Sequence, residues 1–228
     1  MNKFKTILEK EFTLLVSLPV NTPEMAIAAA EGGADGLKVH INVEHFASGT
    51  RFGSWEEEKD NIRNIIKAVN IPVGLLPAAD KCATRGEILE AQSIGVAFLD
   101  AFAHHMPVNL CHVSGMGYML AVNQSYTPDM ITGIDLAGVD AVEATLLTHE
   151  EYGKDLTAKD LSLYYNLARY TSKPVLIPTQ KKIRPEEILD LHRAGAKGII
   201  IGAVVTGRTP EGVKSTTKAF RDAIGNIF

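Results

Sequence analysis

Cysteine is scarce: the 228-residue chain has two, Cys82 and Cys111. Two distant thiols supply neither a disulfide framework nor a zinc-ligand spacing, and they suit a reducing compartment. Long apolar runs are absent; none approaches the roughly 18 residues that mark a membrane-spanning helix. The start, MNKFKTILEKEF, is charged throughout and has no signal-peptide core. Excess positive charge is lacking too. The net charge of −4 argues against a nucleic-acid surface while leaving room for a local cationic pocket. No HxH, HExxH or CxxC pattern occurs, so no metal site and no cofactor are expected. The expected setting is the cytoplasm, with no membrane partner.

What is present reads as an ordinary globular chain, 46% hydrophobic and 22% charged. Strand-like and helix-like stretches alternate throughout. The strands are expected at 12–20, 37–42, 71–78, 96–102, 117–122, 140–147, 173–179 and 197–201. Helices are expected between them, except for an irregular crossing over 104–113. Eight such units indicate a parallel sheet closed into a barrel. A minimal (β/α)8 TIM barrel takes about 200 to 250 residues, so the expectation is one α/β domain over residues 1–228. Residues 2–10 should form a short N-terminal helix plugging its bottom.

Alternation along the strands sorts inward from outward positions. In the second strand Leu37, Val39 and Ile41 should pack against helices, which turns Lys38, His40 and Asn42 into the barrel. In the sixth, Val142, Ala144 and Leu146 face out and Glu143 and Thr145 face in. Asp100 shares a face with Phe98 and Phe102. Lys38 and Glu143 belong to opposite walls, so they could meet across the lumen. Buried charges are costly unless paired, and a satisfied internal ion pair is the plain structural reading. The functional reading makes Lys38 a polarising or Schiff-base group, Glu143 or Asp100 the proton carrier, and His40 a second acid/base.

Two further stretches bear on a ligand. The connection Glu44–Trp55 is long, with two glycines, aromatics, His45 and Arg51, and it suits a lid over an anionic substrate. The stretch KGIIIGAVVTG, residues 197–207, ends a buried strand in glycine beside a short helical turn. Free backbone N–H groups there suit a phosphate. Lys181, Lys182 and Arg184 follow the seventh strand and supply candidate cations beside it.

Residues 180–188, QKKIRPEEI, continuing through AGAKGIIIGA at 194–203, resemble the last two units of the ribulose-phosphate-binding barrel superfamily. MAIAAAEGGADG, residues 25–36, is similar to the first unit of its N-acylglucosamine-6-phosphate 2-epimerase branch. The resemblance implies the barrel and a phosphate site at Gly202, Ala203 and Thr206, with Gln180 and Lys181 adjoining. The chain departs from that branch at Gln180, where a glycine is expected, and over 72–78, where the branch's catalytic lysine has no counterpart.

These readings converge on a metal-independent lyase, isomerase or epimerase acting on a small phosphorylated carbonyl compound, and are compatible with a homo-oligomer. One alternative is a divalent-metal barrel using Asp100 with His40, His45 and His104; His105, Cys111 and His112 lie nearby in sequence. The other is a barrel that binds a phosphorylated ligand without turning it over.

Overall fold

The computed structural model describes residues 2–78, 81–111 and 113–228. Eight parallel strands follow one another around a closed barrel: β1 (Thr13–Ser17), β2 (Gly36–His40), β3 (Val73–Leu76), β4 (Phe98–Phe102), β5 (Gly117–Val122), β6 (Ala141–Ala144), β7 (Val175–Pro178) and β8 (Gly198–Ile201). β8 closes onto β1 with Leu14 opposite Ile199 and Val16 opposite Ile201. The fold is thus a (β/α)8 TIM barrel. The strands are shorter than the apolar runs suggested. The chain leaves the sheet after Ser17 and His40, and Leu18 to Val20, Ile41 and Asn42 belong to the rim.

Caps set the outer helices. Thr22, Thr84, Thr127, Thr157 and Thr209 each accept a hydrogen bond from a first-turn N–H, satisfying donors that a helix start leaves open. One unit departs from the repeat. Between β4 and β5 the chain makes two short 3-10 turns, Ala103–His105 and Val108–Leu110, instead of a helix. This matches the irregular crossing read from the sequence.

The first helix, α1 (Lys3–Leu8), closes the barrel's lower end. Phe4 is fully buried and stacks on Phe98, with ring centroids 4.0 Å apart. They join Ile7, Leu15, Met119, Ala141, Leu176 and Ile200 in an apolar floor. Burying one such Phe stabilises the fold by about 1.5–3 kcal/mol. Two glycines make room for the rings. A Cβ on Gly74 would come within 2.2 Å of Phe98, and one on Gly117 within 2.6 Å of Phe4.

The long connection after β2 is an ordered antiparallel hairpin, with Val43–His45 paired to Thr50–Phe52. Asn42 starts it with a left-handed backbone, φ 56°, a conformation that Asn tolerates better than most residues. The base is tied where Asn42 N–H donates to the Gly53 carbonyl at 2.7 Å. Thr50 Oγ1 donates to the Pro19 carbonyl at 2.8 Å.

Candidate active site

Period-two alternation in β2 sends Leu37 and Val39 into the strand–helix core and Lys38 into the lumen. A barrel layer takes one inward residue from each alternate strand. Here β2, β4 and β6 contribute Lys38, Asp100 and Glu143, three ionisable groups that meet beside the apolar floor. Lys38 Nζ lies 2.7 Å from Asp100 Oδ2 and 2.7 Å from Glu143 Oε2. All three side chains are buried. Thr145 Oγ1 donates to the other Glu143 oxygen at 3.0 Å. Asp100 Oδ1 is buried with no hydrogen-bond partner among the described residues.

These contacts set the proton inventory. Burial alone would lower the Lys38 pKa, but Asp100 and Glu143 outweigh it and hold the ammonium above its usual range. Burial raises Asp100 well above an ordinary carboxyl, and the Glu143 charge adds to it against the opposing pull of Lys38. Burial also acts to raise Glu143, yet Lys38 and hydrogen bonds from Asp100 and Thr145 bring it down to about 2. Two like charges sharing one cation cannot both ionise cheaply. Glu143 is thereby favoured as the carboxylate that faces the Lys38 ammonium, and Asp100 is the carboxyl pushed toward its protonated form.

Above this triad lies a cavity of about 200 Å³, walled by the hairpin residues Val43 to Ala47 and by Phe102, His105, Thr145, His149 and Tyr152. His45 reaches into it, with Nδ1 2.9 Å from the fully buried Ser48 hydroxyl. Burial first, then the Lys38 charge, lowers His45 to about 4. His40 sits behind, stacked on Phe52 and tilted against His45, with Nε2 3.2 Å from Ser17 Oγ. Burial lowers its pKa well below the usual value, helped by His45 and Lys38. Both histidines are neutral at neutral pH, and His40 does not line the cavity. Its expected acid/base position is a packed one.

A second, smaller space of about 80 Å³ shares Lys38, His45, Glu143, Thr145 and Tyr152 with the first and runs to Thr179, Gln180, Gly202 and Ala203 at the ends of β7 and β8. Gly202 N–H donates to Thr179 Oγ1 at 2.9 Å. The short helix Ala203–Thr206 starts at this point.

Of the other residues expected at the anion site, Gln180 lines this space, whereas Lys181 and Thr206 do not. Lys181 is buried and pairs with Glu151 Oε2 at 2.7 Å and with Asp160 at 3.4 Å. It anchors the β6 loop to the start of the helix Ala158–Tyr170 and does not line the space. Thr206 Oγ1 turns to the Gly207 carbonyl at 2.9 Å. Gln180 is spent on Leu147 and Tyr152. On the lid, Arg51 is exposed, 3.8 Å from Glu57 on the outer side of the hairpin, and lines no part of the cavity over Lys38. The metal donors suggested from sequence do not converge. His104 Nδ1 is 2.9 Å from the Tyr126 hydroxyl, Asp100 faces Lys38, and His112 lies outside the described residues. Among the described residues no group of three or more His, Cys, Asp or Glu side chains is placed to hold a metal ion.

Two contributors escaped the sequence reading, His149 and Tyr152; both meet Phe46, one of the aromatics of the Glu44–Trp55 connection. Phe46 stacks on His149 with centroids 4.0 Å apart and meets the Tyr152 ring edge-on at 5.3 Å. Their only trace in sequence is a pair of rings in the loop that follows β6.

Compared by sequence, the chain matches no protein-family model and no curated protein. Compared by structure, it is similar to many solved barrels. The tryptophan synthase A-subunit from Pyrococcus furiosus superposes with a TM-score of 0.70 at 14% identity, over 93% of this chain and 98% of that one. Phosphoribosyl anthranilate isomerase from Thermotoga maritima gives 0.69 at 16% identity, over 94% and 99%. Thiamine phosphate pyrophosphorylase from Pyrococcus furiosus gives 0.65 at 14%, over 96% and 98%. Identities this low carry the fold alone. That shared fold is the eight-stranded parallel barrel; the likeness to the ribulose-phosphate-binding superfamily and to its epimerase branch rests on the residues quoted from the sequence. No helix among the described residues is long and apolar enough to cross a membrane.

Proposed function

We propose that the protein, read as one domain over residues 1–228, is an acid–base isomerase or lyase acting on a small phosphorylated carbonyl compound. The observation that carries this reading is the buried Lys38–Asp100–Glu143 triad, with the unpartnered Asp100 Oδ1 at the base of a covered cavity. A satisfied structural ion pair has no need of a second carboxyl with an unpartnered oxygen beneath a cavity. The phosphate sits where the smaller space meets Gly202 and Ala203, and the neighbours named for phosphate-bearing compounds support a phosphorylated ligand.

The carbonyl oxygen takes its place beside the Lys38 ammonium. Glu143 removes a proton from the adjacent carbon, that C–H pair becomes the C=C bond, and the carbonyl electrons move onto oxygen as Asp100 supplies a proton. Glu143 is then protonated and Asp100 charged. Both carboxyls lie 2.7 Å from Lys38 Nζ, and transfer of the proton from Glu143 back to Asp100 resets the pair. Glu143 is a weak base only while Lys38 faces it, and a carbonyl that draws off the ammonium restores its basicity. Because Lys38 is held protonated, it acts by charge and not as a Schiff-base nucleophile. No cofactor is called for.

The test is incubation with a panel of phosphorylated aldehydes and ketones in D2O, followed by proton NMR. Deuterium entering the carbon next to the carbonyl, or a new product, is the expected result, and borohydride adds no mass at Lys38. A panel with neither exchange nor product sinks the catalytic reading. If phosphate still raises the melting temperature in that case, the chain is a ligand-binding barrel.

A further inference from the structure

Tyr152 borders both spaces of the site, and its hydroxyl is constrained in an informative way. Gln180 Nε2 lies 3.0 Å from the phenol oxygen. The same nitrogen donates to the Leu147 carbonyl at 2.9 Å, while Gln180 Oε1 accepts from Leu147 N–H at 3.2 Å. That backbone pair fixes which end of the amide is which. Flipping it would set oxygen against a carbonyl and NH2 against an N–H. The nitrogen must therefore be the donor to Tyr152, so the phenol oxygen is the acceptor. A phenol has one hydrogen of its own, and no acceptor for it is present among the described residues. The ring packs edge-on against Phe46 at 5.3 Å and His149 at 5.4 Å.

Resting on the function proposed above, we infer that Tyr152 is a further catalytic residue, donating a hydrogen bond from its phenol to the carbonyl oxygen while negative charge builds on it and before the Asp100 proton has fully arrived. Gln180 is its positioning residue. The charge balance favours this role. Lys38, the cation among the described residues of the cavity, already faces two carboxyl groups, so a developing oxyanion gains most from a neutral donor that competes with neither. Burial raises the Tyr152 phenol, which keeps it protonated across the neutral range. A donor aimed in advance at the forming charge needs no reorganisation when that charge appears. The position of Gln180, a departure from the branch the sequence resembles, thus acquires a use: a glycine there could not orient the phenol.

The test compares wild type with Tyr152→Phe, which keeps the ring and its packing, and reads binding by calorimetry. The probes are dihydroxyacetone phosphate and D-ribulose 5-phosphate, with inorganic phosphate as the control. Loss of one hydrogen bond to a polarised oxygen should weaken both sugar phosphates about tenfold and leave inorganic phosphate unchanged. For any panel compound that turns over, kcat should fall by more than KM rises. Equal affinity of the two proteins for the sugar phosphates overturns the assignment of Tyr152 alone. Failure of wild type to bind either sugar phosphate overturns the proposed function, and this inference with it.

Discussion

Lys38 on β2 and Glu143 on β6 stand on opposite walls of the barrel, yet their charged atoms are 2.7 Å apart. That contact spans the lumen and takes Asp100 with it. Removing the cation leaves buried carboxyl groups facing each other without compensation, which costs about 3–5 kcal/mol in comparable sites. Lys38→Met is expected to lose stability of that order in urea at neutral pH. Most of it should return near pH 3, where the carboxyls are protonated. A loss that stays the same at both pH values would mean that packing, and not charge, is responsible.

Asp100→Asn probes the opposite sign. The folded pKa of Asp100 is raised, so its contribution to stability is complete below the ordinary carboxyl range and declines as pH rises. Asparagine keeps the shape and the neutral state. The variant should be at least as stable as wild type at pH 8, with a flatter stability curve above about pH 4, while turnover falls about 10²- to 10⁴-fold. A variant clearly less stable at pH 8 would refute a protonated Asp100.

Much of this arrangement was legible in sequence because strands carry a period of two. GLKVH and AVEA each place one charge among apolar neighbours, and parity alone turns Lys38 and Glu143 inward. Asp100 was harder, since FLDAF puts it on a face with two phenylalanines. Only α1 explains that face, by stacking Phe4 beneath Phe98. The residues after β7 misled for a different reason. QKK reads as a solvated charge run or an anion site, but Lys181 is buried by Glu151 and Asp160, 30 and 21 positions earlier in the chain, and local pattern holds no record of that contact. The hairpin was invisible too. Its three-residue strands are too short for periodicity, and it contributes Phe46 to the cavity wall, with Arg51 on the outer side.

His45 gives the site an acid limit. Its folded pKa, lowered by burial and by Lys38 to about 4, lies below the unfolded value near 6.5. The unfolded chain binds more protons between those values, so stability is complete above about pH 6.5 and falls as pH drops toward 4. The slope from this one group is at most about 1.4 kcal/mol per pH unit, and His40 adds to it with the same sign. His45→Gln should flatten the denaturation midpoint over that window without changing it at pH 8. Unchanged steepness would place the acid sensitivity elsewhere.

The hairpin itself should open at its tip before its base. At the base, main-chain and Thr50 bonds hold it, and Ser48 is fully buried. The tip depends on Phe46, which is 57% exposed although its ring lies flat on His149. Aromatic pairs of this kind contribute about 0.5–1.5 kcal/mol, too little to matter for global stability but enough to govern a local opening. Phe46→Ala should lower the melting temperature by only a few degrees. Amide exchange at Gly49, whose N–H donates to the His45 carbonyl at 2.8 Å, should quicken about tenfold. Substrates should bind more weakly, because the cover over Lys38 is populated less often. If exchange at Gly49 keeps its wild-type rate, the stack on His149 is incidental and the cover is held by its base alone.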